Sequence, residues 1–275
     1  MNIGQCMNDF SHALRAEWIK GRRTFLRRSP ILFAIAAMLF LLPHLFGESN
    51  IVNSTFYKDK ARSIFDIVFE RWIFYLHPLY CYIVGIAVFH TEHRDGMWKH
   101  TNAKPVSGTT QLLAKHVFSW CHVAAATFLL AVLILTVLLA IKIKYPEIDL
   151  GIVTSYYDAY FDDPSNKFWR VAANTFLCSL VAGMALTSLN NLFSARFSGG
   201  FLMLFMALPM AVSALYIHFT DTMARYTPWM FGQVLLDDRV FNIAPPNNWL
   251  VAIPLIYAAL CLAAHITLQR KKPLY

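Results

Sequence analysis

This sequence is short of charge. Only 15% of its 275 residues are Asp, Glu, Lys or Arg, where a soluble domain carries roughly a quarter. Acids are the scarcer sign, 16 against 24 bases, for a formal net charge of +8. In a soluble protein that excess would point to nucleic acid. Here the bases cluster beside apolar runs, where they set topology and meet anionic headgroups, so no nucleic-acid partner is expected. Cysteine is sparse too. Cys6, Cys81, Cys121, Cys178 and Cys261 form neither a disulfide framework nor a metal pattern, and four of them fall inside apolar runs as small hydrophobes. A phosphate-binding loop is missing. The nearest stretch, Gly108 to Lys115, lacks the second Gly of G-x-x-x-x-G-K-[ST] and any preceding strand, which excludes ATP hydrolysis by the standard route. There is no H-E-x-x-H, C-x-x-C or G-x-S-x-G. The third to fifth apolar runs hold almost no ionisable residue away from their ends, His122 near the start of the third excepted, and no internal repeat is evident. That combination argues against an ion-coupled carrier.

What fills the chain is apolar. Hydrophobic residues make up 57% of it, mean hydropathy is +0.45, and there are 22 Phe, 12 Tyr and 7 Trp. The pattern predicts an all-α membrane protein with six transmembrane helices. The spans fall at roughly 31–46, 72–89, 117–141, 171–189, 199–217 and 249–268. Residues 1–275 read as one transmembrane domain: an interfacial segment 1–29, the six-span bundle 30–268, and a tail 269–275. Pro78 sits inside the second run and predicts a kink there. Tyr156, Tyr157, Tyr160, Phe161 and Trp169 border the fourth run as interfacial aromatics. The segment from Thr227 to Gly232 is too short to cross and suits a re-entrant or interfacial position.

The first residues do not read as a signal peptide, because Asp9 and Glu17 interrupt them. Phe10, Leu14, Trp18, Gly21 and Phe25 recur at helical spacing, with Arg15, Lys20, Arg22, Arg23, Arg27 and Arg28 on the polar side. This predicts an amphipathic helix in the headgroup plane. Counting Lys and Arg beside the runs gives six in this segment, four between Glu92 and Lys115, one in the Asn190–Arg196 turn and three at Arg270–Lys272. By the positive-inside rule, both termini and the Glu92–Lys115 island belong in the cytoplasm. The loop after the third run is acidic and aromatic instead, as an outer loop would be.

The island is Glu92-His93-Arg94-Asp95-Gly96-Met97-Trp98-Lys99, then Lys104-Pro105-Val106-Ser107, then Leu112-Leu113-Ala114-Lys115. Together with Ala16-Glu17-Trp18-Ile19-Lys20 and six runs of these sizes, it resembles the permease subunits of ABC-2 type transporters. Glu92, Gly96, Pro105-Val106-Ser107 and Lys115 occupy the places of that family's Glu, Gly, Pro-Val-Ser-like turn and Lys. Met97-Trp98-Lys99 departs from the usual Thr-containing turn. Within the family the chain looks most like the small permeases of lantibiotic immunity and bacitracin-type resistance.

The resemblance implies an exporter subunit in a bacterial cytoplasmic (inner) membrane, moving an amphipathic peptide, antibiotic or lipid. It implies no ATPase site and no cofactor in this chain, because ATP-Mg would be bound by a separate cytoplasmic ATP-binding subunit. The island becomes a cytoplasmic coupling helix, with Trp98 and Met97 as anchors and Glu92, Arg94, Gly96, Lys99 and Pro105 around them. Phe10, Leu14, Glu17, Trp18, Lys20 and Phe25 become the interfacial helix. A second permease subunit, identical or related, completes the pathway. Two other classes stay open: a non-transporting scaffold or sensor, and an integral membrane enzyme, for which His77, His90, Glu92 and His93 are the cluster to test. His90 and His93 beside Glu92 could also ligate a metal, but interfacial placement explains them more simply.

Overall fold

In a computed structural model, residues 3–22, 24–39, 72, 76–94, 107–144, 164–195, 197, 231 and 248–271 are described. Among them every regular element is helical. The helices are α1 (Ile3–Arg22), α2 (Ser29–Leu39), α3 (His77–Arg94), α4 (Gly108–Lys144), α5 (Pro164–Ser194) and α6 (Asn248–Lys271), with a 3₁₀ turn at Phe25–Arg27. Among the described residues three stretches are long and apolar enough to cross a membrane: α4, Phe176–Ser194 of α5 and Ala252–Gln269 of α6. Apolar helices also stand where the first two spans are expected, at Ser29–Leu39 and His77–Phe89. The fifth expected run, 199–217, and the 227–232 segment lie outside the described residues apart from Phe231.

Local chemistry sets the helix ends, and it moves several of them from where hydropathy puts them. Ser107 caps α4: its Oγ accepts the Thr110 N–H at 3.2 Å and pairs with the Thr110 hydroxyl at 2.7 Å, satisfying a donor the first turn leaves open. The last part of the polar island, including Lys115, is therefore helix and not loop. α5 begins at Pro164, about two turns before its apolar run, because a proline in the first turn gives up no helical bond. At its far end α5 continues through Asn190 and Asn191, expected in a connecting turn, and the Ala195 N–H still bonds the Asn191 carbonyl. Pro78 falls in the first turn of α3, just after π-helical geometry at Trp72 and Leu76. The proline therefore stands at the start of α3 and not in mid-helix.

Contacts between named residues give the helix directions. On α3, Tyr80 donates to the His122 carbonyl of α4, while Phe89 lies beneath Lys115; the two helices are antiparallel. α4 and α5 are antiparallel too, since Gly183 faces Val123 and Asn191 pairs with Ser119. α3 and α5 run the same way, with His77 against Gly183 and Gly85 against Asn190. α6 brings His265 to His116 and Phe89. Arg94, Gly108, Ser194 and Lys271 consequently gather at one end of the bundle, the Lys115 end, and Asn248 lies at the other.

The core runs between α2, α3, α4 and α5 and includes Ala34, Trp72, Tyr80, Val84, Phe89, Phe118, Val123, Leu130 and Leu186. A second cluster joins Cys178, Ala182 and Ala185 of α5 to Phe231, against Ile253 and Tyr257 of α6. Cys81, Cys178 and Cys261 are buried as expected of small hydrophobes; Cys121 is exposed. Phe128, Val132, Leu139 and Ile143 stay exposed along α4, suiting a helix that meets lipid or another membrane chain.

Candidate functional site

The residues with most to explain stand at the Lys115 end. Lys115 is 1% exposed, and a buried ammonium without a partner would cost several kcal/mol. Its Nζ lies 3.0 Å from Glu17 Oε1 and 5.5 Å from the centre of the Phe89 ring, an ion pair and a cation–π contact on one atom. The same Glu17 oxygen accepts from Lys20 Nζ at 2.9 Å, one helical turn along α1. Glu17 is itself buried, whereas Lys20 reaches the rim. A single ammonium thus gathers α1, α3 and α4.

The rest of α1 follows Glu17 onto α4. Ala13, Glu17 and Gly21 are its buried positions, spaced four apart on one face. Gly21 permits the approach, since a Cβ there would stand 2.6 Å from Phe118 Cζ. Trp18 sets its edge on Phe118 at 5.6 Å between ring centres and reaches His122 at 5.7 Å. Phe10 and Leu14 are half-buried beside this face. Phe25 is not on α1, which ends at Arg22; it belongs to the 3₁₀ turn, capped by the Thr24 hydroxyl, and is exposed. So the docking face is centred on an acid. The expected stripe shares Gly21 with this face and has Leu14 and Trp18 beside it, but not Glu17 at its middle, because a buried Glu is invisible to a hydropathy pattern until its cation is known.

Beneath this ion pair lies a polar layer. His116 Nε2 and His265 Nδ1 are 3.2 Å apart, with Phe89 and Trp120 against the two rings. Asn191 exchanges hydrogen bonds with Ser119, and Trp120 donates to Ser188 at 3.1 Å. Ser29 and Tyr80 share a hydrogen bond at 3.2 Å, tying the foot of α2 to α3. Sequence reading had missed His265, Asn190 and Asn191 as interior groups. The signal available was their position on α5 and α6 at the level of α4's polar first turns.

Of the island residues, Glu92 and Arg94 stand in the last turn of α3; their side chains lie outside the described residues, as do Gly96, Met97, Trp98, Lys99 and Pro105. The candidate enzyme cluster does not converge. His77 and Glu92 are 15 positions apart on one continuous helix, about 22 Å along its axis. His77 is buried against Gly183 and Trp72 instead. Among the described residues no three of His, Cys, Asp or Glu come together as metal ligands.

In this chain of helices, three of which among the described residues are long and apolar enough to cross a membrane, one ammonium joins α1 to the two helices that bracket the Glu92–Pro105 segment. The family model described as "ABC-2 family transporter protein" matches residues 13–162, from the docking face of α1 to just before α5. The chain belongs to that family and is a multi-pass permease subunit of an ABC-2 type transporter, a class that works with an ATP-binding subunit. No curated protein matches the chain.

Proposed function

We propose that the chain is one half of the membrane pathway of an ATP-driven exporter, and that the Glu92–Pro105 segment docks on a separate cytoplasmic ATPase. One observation carries this reading. α3 ends and α4 begins at the end of the bundle where α1 docks, so the basic segment between them hangs from two anchored helix ends. A load applied there has a direct mechanical route into α3 and α4.

Met97 and Trp98 are the anchors, because aromatic and Met side chains dominate such contacts. Glu92, Arg94, Gly96, Lys99 and Pro105 form the hinges and polar rim. Six spans with both termini and the segment in the cytoplasm agree with the basic residues beside the spans, and with α5 and α6 pointing the same way, which leaves one return for a fifth span. The membrane is the bacterial cytoplasmic membrane, the cargo an amphipathic peptide, antibiotic or lipid, and the functional unit contains a second permease, identical or related. ATP-Mg is held by the partner ATPase.

Co-purification with the ATP-binding subunit tests the docking role. Trp98→Glu is expected to weaken association about 30-fold, the equivalent of losing a central aromatic anchor worth about 2 kcal/mol. Unchanged association would remove Trp98 from the contact.

A further inference from the structure

We propose that Glu17 and Lys115 are positioning residues, a register lock through which α1 is carried with α4 when the connecting segment is pulled. The proposal rests on the transport reading above.

The geometry gives the lock its place. Lys115 lies eight positions after the Ser107 cap of α4, and Phe89, over which its ammonium sits, lies five positions before α3 ends at Arg94. Both helix ends that bracket the segment are within about two turns of this one charge. Glu17 is the acceptor that α1 supplies to it. Around the ion pair, α1 also meets α4 through rings and a glycine: Trp18 on Phe118 and His122, and Gly21 on Phe118. Those contacts fix how closely the two helices approach, and the charges add a directional tie. A shift of a few ångströms would separate the 3.0 Å pair of two buried charges.

Holding two helices together does not require this arrangement. An apolar pair of similar volume is often as stabilising as a buried ion pair, or more so. What the charges add is direction: they fix which turn of α1 meets which turn of α4. α1 leads through the 3₁₀ turn and Ser29 into α2, so a fixed register passes displacement of α4 on to α2.

The test compares the double variant Glu17→Met with Lys115→Leu to wild type, each reconstituted with the ATP-binding subunit in nanodiscs. Spin labels placed at Arg15 and Phe128, both exposed, report the spacing of α1 and α4 with and without ATP. The double variant is expected to fold and still bind the ATPase. Its ATP turnover should fall about tenfold, within the range of ordinary coupling energies, and its label distance should broaden or shift on adding ATP. Wild type and Lys115→Arg should hold one distance. A double variant with wild-type turnover and a fixed distance overturns the lock while leaving the permease reading intact. A wild-type chain that binds no ATP-binding subunit overturns the permease reading, and the lock with it.

Discussion

Alanine at Glu17 is expected to cost the detergent-solubilised protein about 3–5 kcal/mol, the loss typical of removing one member of a buried ion pair. The change takes the Glu17 carboxylate away from an ammonium that is 1% exposed and also lies over the Phe89 ring. Lys20→Ala removes the other cation from the same carboxylate, but Lys20 reaches solvent. That loss should be no more than about 1 kcal/mol, as for pairs at a surface. Unfolding midpoints of the two variants in one denaturant series check the contrast. Equal losses would mean that burial of Lys115 does not set the energetics of this junction. The apolar double variant completes the series and should lose less than Glu17→Ala, since both members of the buried pair are gone.

Alanine at Gly183 should destabilise the bundle by about 1–3 kcal/mol, although alanine is ordinarily the better helix former. The added Cβ would stand 2.6 Å from Val123 Cγ1 and 2.9 Å from His77 Nε2. α5 would have to back away from α4 and α3 together. Gly85 plays the matching part on α3, where a Cβ would come 2.8 Å from Asn190 Cβ. Small residues at such crossings let backbones approach inside a membrane, where hydrophobicity gives no drive to associate. Gly108→Ala is the control. Its nearest neighbour is Nε2 of Gln269 at 3.1 Å, the far end of a flexible side chain, so little or no loss is expected. Comparable losses for Gly108→Ala and Gly183→Ala would contradict the close packing of α3, α4 and α5.

The helical class, the membrane character and the family were legible in the sequence, because apolar runs, flanking bases and the Glu92–Lys115 pattern are all linear features. Lys115 could be singled out from that pattern. Its partner could not, since Glu17 and Lys115 are 98 positions apart and hydropathy counts both as polar. The same blindness shortened the helices. Ser107, Pro164 and Asn191 mark helix ends and buried bonds that a hydropathy window averages away. Asn191 reads as a turn residue until Ser119 is found opposite it. For α1 the expected stripe of Phe10, Leu14, Trp18, Gly21 and Phe25 shares Gly21 with the buried face, whose other members are Ala13 and Glu17. A small residue and an acid carry no apolar signal, but they are what a close, charge-locked contact needs.

The central claim is that the segment between α3 and α4 meets an ATPase, and a photocrosslinker placed at Met97 tests it most directly. Irradiated in the native membrane, that position should yield an adduct with an ATP-binding subunit. The same group at Phe128, on the exposed side of α4, should not. An ATPase adduct from Phe128 and none from Met97 would contradict the account.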